Sequence, residues 1–377
     1  MIMAAGAFAV PAVAEPATDP APAAAAAEHH HRSTQRAMDA AVAAGVPGVT
    51  GRAESKYGSW TGTSGVGNLR TGQPRGARDR YRVASLTKTF VATVLLQLEA
   101  AGELRLDDTV EQWLPGVVRG HGHDGRRITV RQLLNHTSGI ANWTRDPEVR
   151  RSVFTRAFLK HRLDTWTPRQ QVGIAMRQAP DFRPGKGWNY SDTNYLLAGM
   201  IIEKVTGHTY GEEIRQRVIR PLGLSATRVP GTDPRLPAPS GRAYSTFRDP
   251  RARTPYDITE YNPSVAGAAG EMISDSADLN RFFSALLGGE LLPKRQLDQM
   301  TTTVPVDPDH PDLRYGLGLR RSEASCGREI WAHGGDFHGT VAVAASTRDG
   351  GHTLAFNFNG DWAGDFEAVI DAEFCGG

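Results

Sequence analysis

Cysteine is almost absent from this chain of 377 residues. Only Cys326 and Cys375 occur, and neither has a second Cys or a His at zinc spacing, which argues against a metal site. An excess of charge of one sign is missing too. The net charge is +2 with His neutral, so no strong field points to nucleic acid or an anionic membrane as partner. No segment approaches the ~18 uncharged apolar residues of a membrane span, and no stable membrane anchor is expected. Neither a G-x-S-x-G elbow nor a Walker loop occurs. Lysine is scarce beside arginine, so the few lysines stand out, Lys88 among them.

What is present is an ordinary globular composition, 40% hydrophobic and 22% charged, with ample material for a packed core. Residues 1–14 read as a signal peptide, a short apolar run ending in the A-x-A pattern Ala12-Val13-Ala14. Residues 15–32 read as a Pro/Ala-rich linker, and His29 to His31 as a solvated part of it rather than a metal tract. The mature protein is therefore expected to be secreted. Nothing demands more than a monomer.

Strand and helix signals are unevenly distributed. Ser33 predicts a helix cap, with Met38, Ala41 and Val42 on one helix face through about Ala44. "VTGRAESKYGSWTGTSGVGNL" reads as antiparallel strands. An apolar helix runs from Thr87 to about Ala101, where Gly102 stops it, and a mostly helical middle follows to about 270. Within it, 234–263 reads as loop. Ser276 predicts another cap, with Leu279, Phe282, Phe283, Leu286 and Leu287 inward. "YGLGLRR", "EIWAHGG", "TVAVAAST" and "HTLAFNFN" read as consecutive antiparallel strands, and "DFEAVIDAEF" as a closing helix. The fold class this implies is α+β. An antiparallel sheet built from both termini, over 33–80 and 271–377, is flanked by helices, and a mostly helical domain, 81–270, is inserted.

Three short stretches carry chemistry. In "VASLTKTF", Ser85 and Lys88 lie one helical turn apart, on one face of a helix start. A serine hydroxyl needs a base, and an amine in reach serves when burial disfavours its charge. The helix N-terminus favours negative charge developing on the serine. The competing reading is a cap with an exposed lysine. In "WNYSDTNYLLAG", Tyr190 is a candidate phenolate base or proton relay, the competing reading being a cap by Ser191 or Asp192 with Tyr190 in the core. In "IWAHGGDFHG", the paired Gly334 and Gly335 after His333 mark close backbone approach, by a ligand or another chain, or else a bulge. "ITVRQLLNHTSGI" reads as structural, a helix running into a Ser-Gly turn, with Trp143 beyond it edging the cleft. His121 and His123 read as loop residues, since no third ligand stands at metal spacing.

The order S-x-x-K, Y-S-D, H-x-G is more specific than its parts. Together with "FRPGKGWNYSDTNY" and "RYGLGLRRSEASCGREIWAHGG", it resembles the penicillin-recognising serine hydrolases over roughly residues 35 to 375. These are DD-peptidases, class C β-lactamases and related esterases and D-amino-acid peptidases. "GLGLRR", "SCG" and the closing "EFCGG" look most like the actinomycete exocellular D-alanyl-D-alanine carboxypeptidase/transpeptidase group. The resemblance implies a β-lactamase/transpeptidase-like fold and a site at the junction of its two parts. Ser85 would be the nucleophile, Lys88 and Tyr190 the proton carriers, and the N–H groups of Ser85 and Asp336 the oxyanion hole. Arg320 would receive a substrate carboxylate. Asp192, His333, Gly334, Gly335 and Trp143 would contact substrate, and Cys326 and Cys375 would pair. It implies no cofactor. The partners are a D-Ala-D-Ala-terminated peptide or peptidoglycan and β-lactam antibiotics.

The chain departs from that pattern in three places. Asp192 stands where Asn is usual, and an ionised Asp only accepts hydrogen bonds. Gly334 lacks a threonine hydroxyl. Asp336 brings a negative charge near the carboxylate's docking place, a repulsion of roughly 1–4 kcal/mol. An exported D-Ala-D-Ala carboxypeptidase is the reading these residues favour. A serine esterase, β-lactamase or D-amino-acid peptidase of the same family is the alternative. A penicillin- or peptidoglycan-binding protein without turnover is a third reading, opposed by the presence of all three of Ser85, Lys88 and Tyr190.

Overall fold

The computed structural model describes residues 31–247, 249, 252 and 254–376. The expected signal peptide, residues 15–30 of the linker, and His29 and His30 lie outside the described residues.

Two strands near the start and six near the end alternate side chains between faces, and they form one sheet with a short third strand. The strands are β1 (Gly48–Ser55), β2 (Gly58–Asn68), β3 (Gln73–Pro74), β4 (Val304–Asp307), β5 (His310–Tyr315), β6 (Arg320–Glu323), β7 (Glu329–Phe337), β8 (Thr340–Ser346) and β9 (Thr353–Phe358). Their order is β4-β5-β6-β7-β8-β9-β1-β2-β3, and each neighbouring pair is antiparallel. The seam is β9 against β1, where Val49 faces Phe358 and Ala53 faces Leu354. The expected antiparallel sheet built from both termini and flanked by helices is the fold observed.

Both faces of the central strands are buried, because successive residues point to opposite sides. On one side Val343, Ala345, Leu354, Phe356 and Phe358 pack with Met38, Val369 and Phe374. Those last three come from helices α1 (Arg32–Ala43) and α5 (Phe366–Cys375). On the other side the small Ala342, Ala344 and Ala355 join the large core with α2 (Thr87–Ala100), α3 (Asp192–Thr206) and α4 (Ser276–Leu287). The Cys326–Cys375 disulfide ties the end of α5 to the turn between β6 and β7. Among the described residues no helix is long and apolar enough to cross a membrane.

Several local expectations need correction. Helix α1 starts at Arg32, so Ser33 is inside it and its hydroxyl bonds the Ala372 carbonyl at 2.8 Å. His31 is not a solvated linker residue. It is buried at the head of α1, its Nδ1 2.8 Å from Glu373 Oε2. Asp275 rather than Ser276 caps α4, accepting the Asp278 N–H. "YGLGLRR" is not one strand: Tyr315 ends β5, Gly318 turns at φ +73°, and Arg320 begins β6. A side chain at Gly318 would also stand 2.8 Å from Ala92 Cβ, so both conformation and space require glycine. His123 is buried and held to the Gln178 carbonyl at 3.1 Å. Among the described residues no cluster of three or more His, Cys, Asp or Glu is arranged to hold a metal.

Candidate active site

The short turn Ala84–Leu86 precedes α2 and presents Ser85. Ala84 has φ +46°, a conformation that residues with a Cβ seldom adopt, so the nucleophile's turn is under backbone strain. The turn is pinned from below by β7. A Cβ on Gly335 would lie 2.1 Å from the Val83 carbonyl oxygen and 2.8 Å from the Ser85 nitrogen. Only glycine lets the strand come this close. Gly334, on the opposite pleat, would meet nothing nearer than 3.8 Å.

Lys88, one turn into the helix, has no solvent exposure. Its Nζ donates to Ser85 Oγ at 3.0 Å, Asp192 Oδ1 at 2.8 Å and the Ala269 carbonyl at 2.7 Å. An ammonium has three N–H groups, and each finds an acceptor. From sequence, burial alone is expected to disfavour the lysine's charge. The fold instead supplies a carboxylate, Asp192, which also lies 3.5 Å from Asn142 Nδ2.

Tyr190 completes the cluster, with its ring centre 4.8 Å from Lys88 Nζ and its phenol near enough to Ser85 for that hydroxyl to draw its pKa down. Burial, and then the Asp192 charge, push its phenol well above the ordinary value, outweighing Ser85 and Arg320, which pull it down. Tyr190 is therefore a neutral phenol in the resting site, which favours a relay over a standing phenolate.

A cleft opens over Ser85, and Trp143, Asp192, Ala269 and Asp336 are among the residues lining it. The structure thus brings Ser85, Lys88, Tyr190, Asp192, Trp143, Gly335 and Asp336 together. His333 is placed differently from the expectation of substrate contact. It is 1% exposed, and both ring nitrogens are engaged. Nδ1 lies 2.7 Å from the Gly334 carbonyl, which only accepts, so Nδ1 carries the proton and Nε2 accepts from the Tyr315 hydroxyl at 2.9 Å. Burial, then the positive charges of Arg320 and Lys88, hold its pKa well below the ordinary value. His333 is a neutral support of the strand with no donor left for substrate. Arg320 faces Ala332 across the sheet and makes no ion pair among the described residues. It does not line the cleft over Ser85, yet it is near enough to act on Tyr190 and His333.

Behind Tyr190 stands a buttress that no sequence motif marks. His136 is buried with φ +62°, its ring centre 4.3 Å from that of Tyr190. Its Nδ1 accepts the Ser191 N–H at 3.3 Å and lies 3.1 Å from Asn194 Nδ2. Burial, then Lys88, hold its pKa well below the ordinary value, so the ring is neutral. The turn "NHTSG" was legible as structural. Its contact with Tyr190, far along the chain, had no local signal.

Comparison with known proteins adds five matches. Residues 24–373 match the profile of the family described as Beta-lactamase. Penicillin-binding protein 4* of Bacillus subtilis (strain 168) is 27% identical over 81% of this chain and 66% of that protein. Esterase EstB of Burkholderia gladioli is 34% identical over 42% of this chain and 41% of that protein. The chain spans 66% or less of the length of these curated relatives. Among solved structures, a D-stereospecific amidohydrolase from Streptomyces sp. superposes with a TM-score of 0.88 at 58% identity, covering 92% of this chain and 99% of that one. The D-amino acid amidase from Ochrobactrum anthropi SV3 gives 0.78 at 28% identity, covering 91% and 98%.

Proposed function

The chain belongs to the Beta-lactamase family, and from that premise we propose that it is a serine hydrolase acting through an acyl-enzyme on Ser85, cleaving an amide or ester of a D-configured residue. The observation that carries this reading is the Lys88 Nζ to Ser85 Oγ contact of 3.0 Å, with the Tyr190 ring centre 4.8 Å from the same Nζ. Ser85 Oγ attacks the carbonyl carbon while its proton passes to the Tyr190 oxygen, which hands its own to the leaving nitrogen. The Lys88 ammonium stabilises the charge developing on Oγ. The N–H groups of Ser85 and Asp336 receive the oxyanion. Water then attacks the acyl-enzyme by the same relay run backwards, regenerating Ser85 and releasing the acid.

The 58% identical D-stereospecific amidohydrolase supports a D-amide substrate. So does Asp336, exposed at the cleft, whose carboxylate opposes an anionic leaving group. A D-Ala-D-Ala carboxypeptidase acting on peptidoglycan peptides and acylated by β-lactams is the second reading, supported by Arg320 beside the site. The signal read in residues 1–14 supports secretion.

Intact-protein mass spectrometry after incubation with a penicillin, beside Ser85→Ala, tests the nucleophile. Turnover of D-alanyl amides against D-Ala-D-Ala peptides, with L-amides as control, tests the substrate. A Ser85-dependent adduct with preferred D-amide turnover is expected. Preferred release of D-Ala from the peptide selects the second reading. An unmodified protein, with neither drug nor amide consumed, refutes both.

A further inference from the structure

We infer that the pocket between residues 122–128 and 180–184 binds a small aromatic acid that carries an O–H or N–H donor at the end opposite its carboxylate. The site is separate from the chemistry at Ser85, since no residue lines both this pocket and the cleft over that serine. At its inner end is His123 of "GHGHDG", a stretch the hydrolase chemistry leaves unused.

His123 is 6% exposed. Its Nε2 lies 3.1 Å from the Gln178 carbonyl, which only accepts, so Nε2 carries the hydrogen and Nδ1 presents a lone pair. Burial holds the pKa below the ordinary value, against the Gln178 carbonyl and Asp181, which pull it up, and the ring is neutral. Nδ1 is shielded from water and has no hydrogen-bond partner among the described residues. A buried acceptor left unpaired costs free energy, and a ligand that brings a hydrogen to it recovers that loss. The inner end of the ligand is therefore a donor rather than an anion.

Pro180 and Phe182, both half-buried, give the wall an apolar surface on which a flat ring gains contact. Arg127 and Arg183 also line the pocket, and both are exposed, so they mark its outer end. Asp124, the acidic residue of the wall, is taken up by Arg126 at 2.9 and 3.0 Å. The outer end is left positive and suits a carboxylate. The pocket has room for more than a single water molecule, about 80 Å³.

The back of the pocket is the turn that carries His136. Ser138 lines the pocket, and its Oγ donates to Asn194 Oδ1 at 2.7 Å. The Asp181 and Gly185 N–H groups reach the Gly139 and Thr137 carbonyls at 2.9 and 2.8 Å. A Cβ on Gly139 would lie 2.1 Å from the Phe182 carbonyl oxygen, so the two segments are in backbone contact. An occupant thus bears on the turn two residues from His136, the ring packed on Tyr190, without entering the cleft.

The test is calorimetric titration of the protein at neutral pH with 4-hydroxyphenylacetate, phenylacetate and 4-methylphenol. Phenylacetate lacks the donor and 4-methylphenol lacks the carboxylate. The first is expected to bind at least about tenfold more tightly than either of the others. His123→Leu is expected to erase the preference for the hydroxyl, and Arg127→Gln with Arg183→Gln the preference for the carboxylate. The two arginines are exposed, so their replacement keeps the test open even where His123→Leu fails to fold. No binding of any probe at millimolar concentration overturns the proposal, as do equal affinities for the three. Preferences that survive the substitutions overturn it too, and so does a soaked crystal with the ring over Ser85 instead of beside Phe182.

Discussion

At the scale of single residues, two adjacent glycines carry different constraints. The Cβ of an alanine at 335 would press on the Val83 carbonyl and the Ser85 nitrogen, at 2.1 and 2.8 Å, and both are backbone atoms that cannot swing aside. Gly335→Ala is expected to slow penicillin acylation of Ser85 at least roughly a hundredfold, the cost of moving a reacting group by about an ångström. Gly334→Ala meets nothing closer than 3.8 Å and is expected to keep both acylation and stability, the latter within about 0.5 kcal/mol. Equal rates for the two variants in stopped-flow acylation would remove the close-approach argument. Tyr190→Phe keeps the ring packed on His136 and deletes only the hydroxyl, the group proposed to relay the proton. Turnover is expected to drop by roughly 10²–10⁴ with the fold unchanged by circular dichroism. A variant as fast as wild type would assign the proton transfer elsewhere. Of these residues, Ser85 and Lys88 were legible because helix geometry alone sets their spacing. Asp192 as the lysine's partner was not, since it lies 104 residues away.

At the scale of elements, α5 is held to α1 by polar links and packing, and to the sheet by a covalent one. The disulfide closes a separation of 49 residues between the β6–β7 turn and the end of α5. The chain-entropy relation for a loop of that size gives about 4 kcal/mol. Reduction, or Cys326→Ser with Cys375→Ser, is expected to lower the melting temperature by several degrees or more. An unchanged melting curve after complete reduction would show that the link adds nothing to packing. Helix periodicity predicted both elements from sequence, because their buried residues recur with the helical turn. The caps of α1 and α4 lie two residues and one residue before the serines the sequence suggests, for a physical reason. His31 and Asp275 head these helices because of what they bond, and Ser33 has a tertiary acceptor in Ala372 instead of a cap.

At the scale of the whole molecule, Glu373 joins the first described residues to the last. It accepts from Thr34 at 2.7 Å and lies 2.8 Å from His31 Nδ1 and 2.6 Å from His352 Nε2. Burial raises its pKa, but the hydrogen bonds from His31, His352 and Thr34 outweigh it and hold the carboxyl down to about 2, against an ordinary 4.5. Because the folded value is depressed, this stabilisation is complete above about pH 4.5 and is lost as pH falls toward 2, roughly 3 kcal/mol in all. Glu373→Gln is expected to lose about that much at pH 7 in denaturant titrations and to converge on wild type near pH 2. Parallel curves at every pH would contradict the assignment. The sequence by itself determined what depends on neighbours along the chain: the Ser85–Lys88 spacing, the apolar runs that become strands at both ends, the glycines of "HGG". Backbone geometry repeats every two or 3.6 residues, so such patterns are written locally. Only the tertiary structure decided that Asp192 and the Ala269 carbonyl share the Lys88 ammonium, that His333 is buried against Tyr315, and that His136 stands behind Tyr190. Those contacts join residues far apart in sequence, and which side chains meet there is set by how the whole core closes.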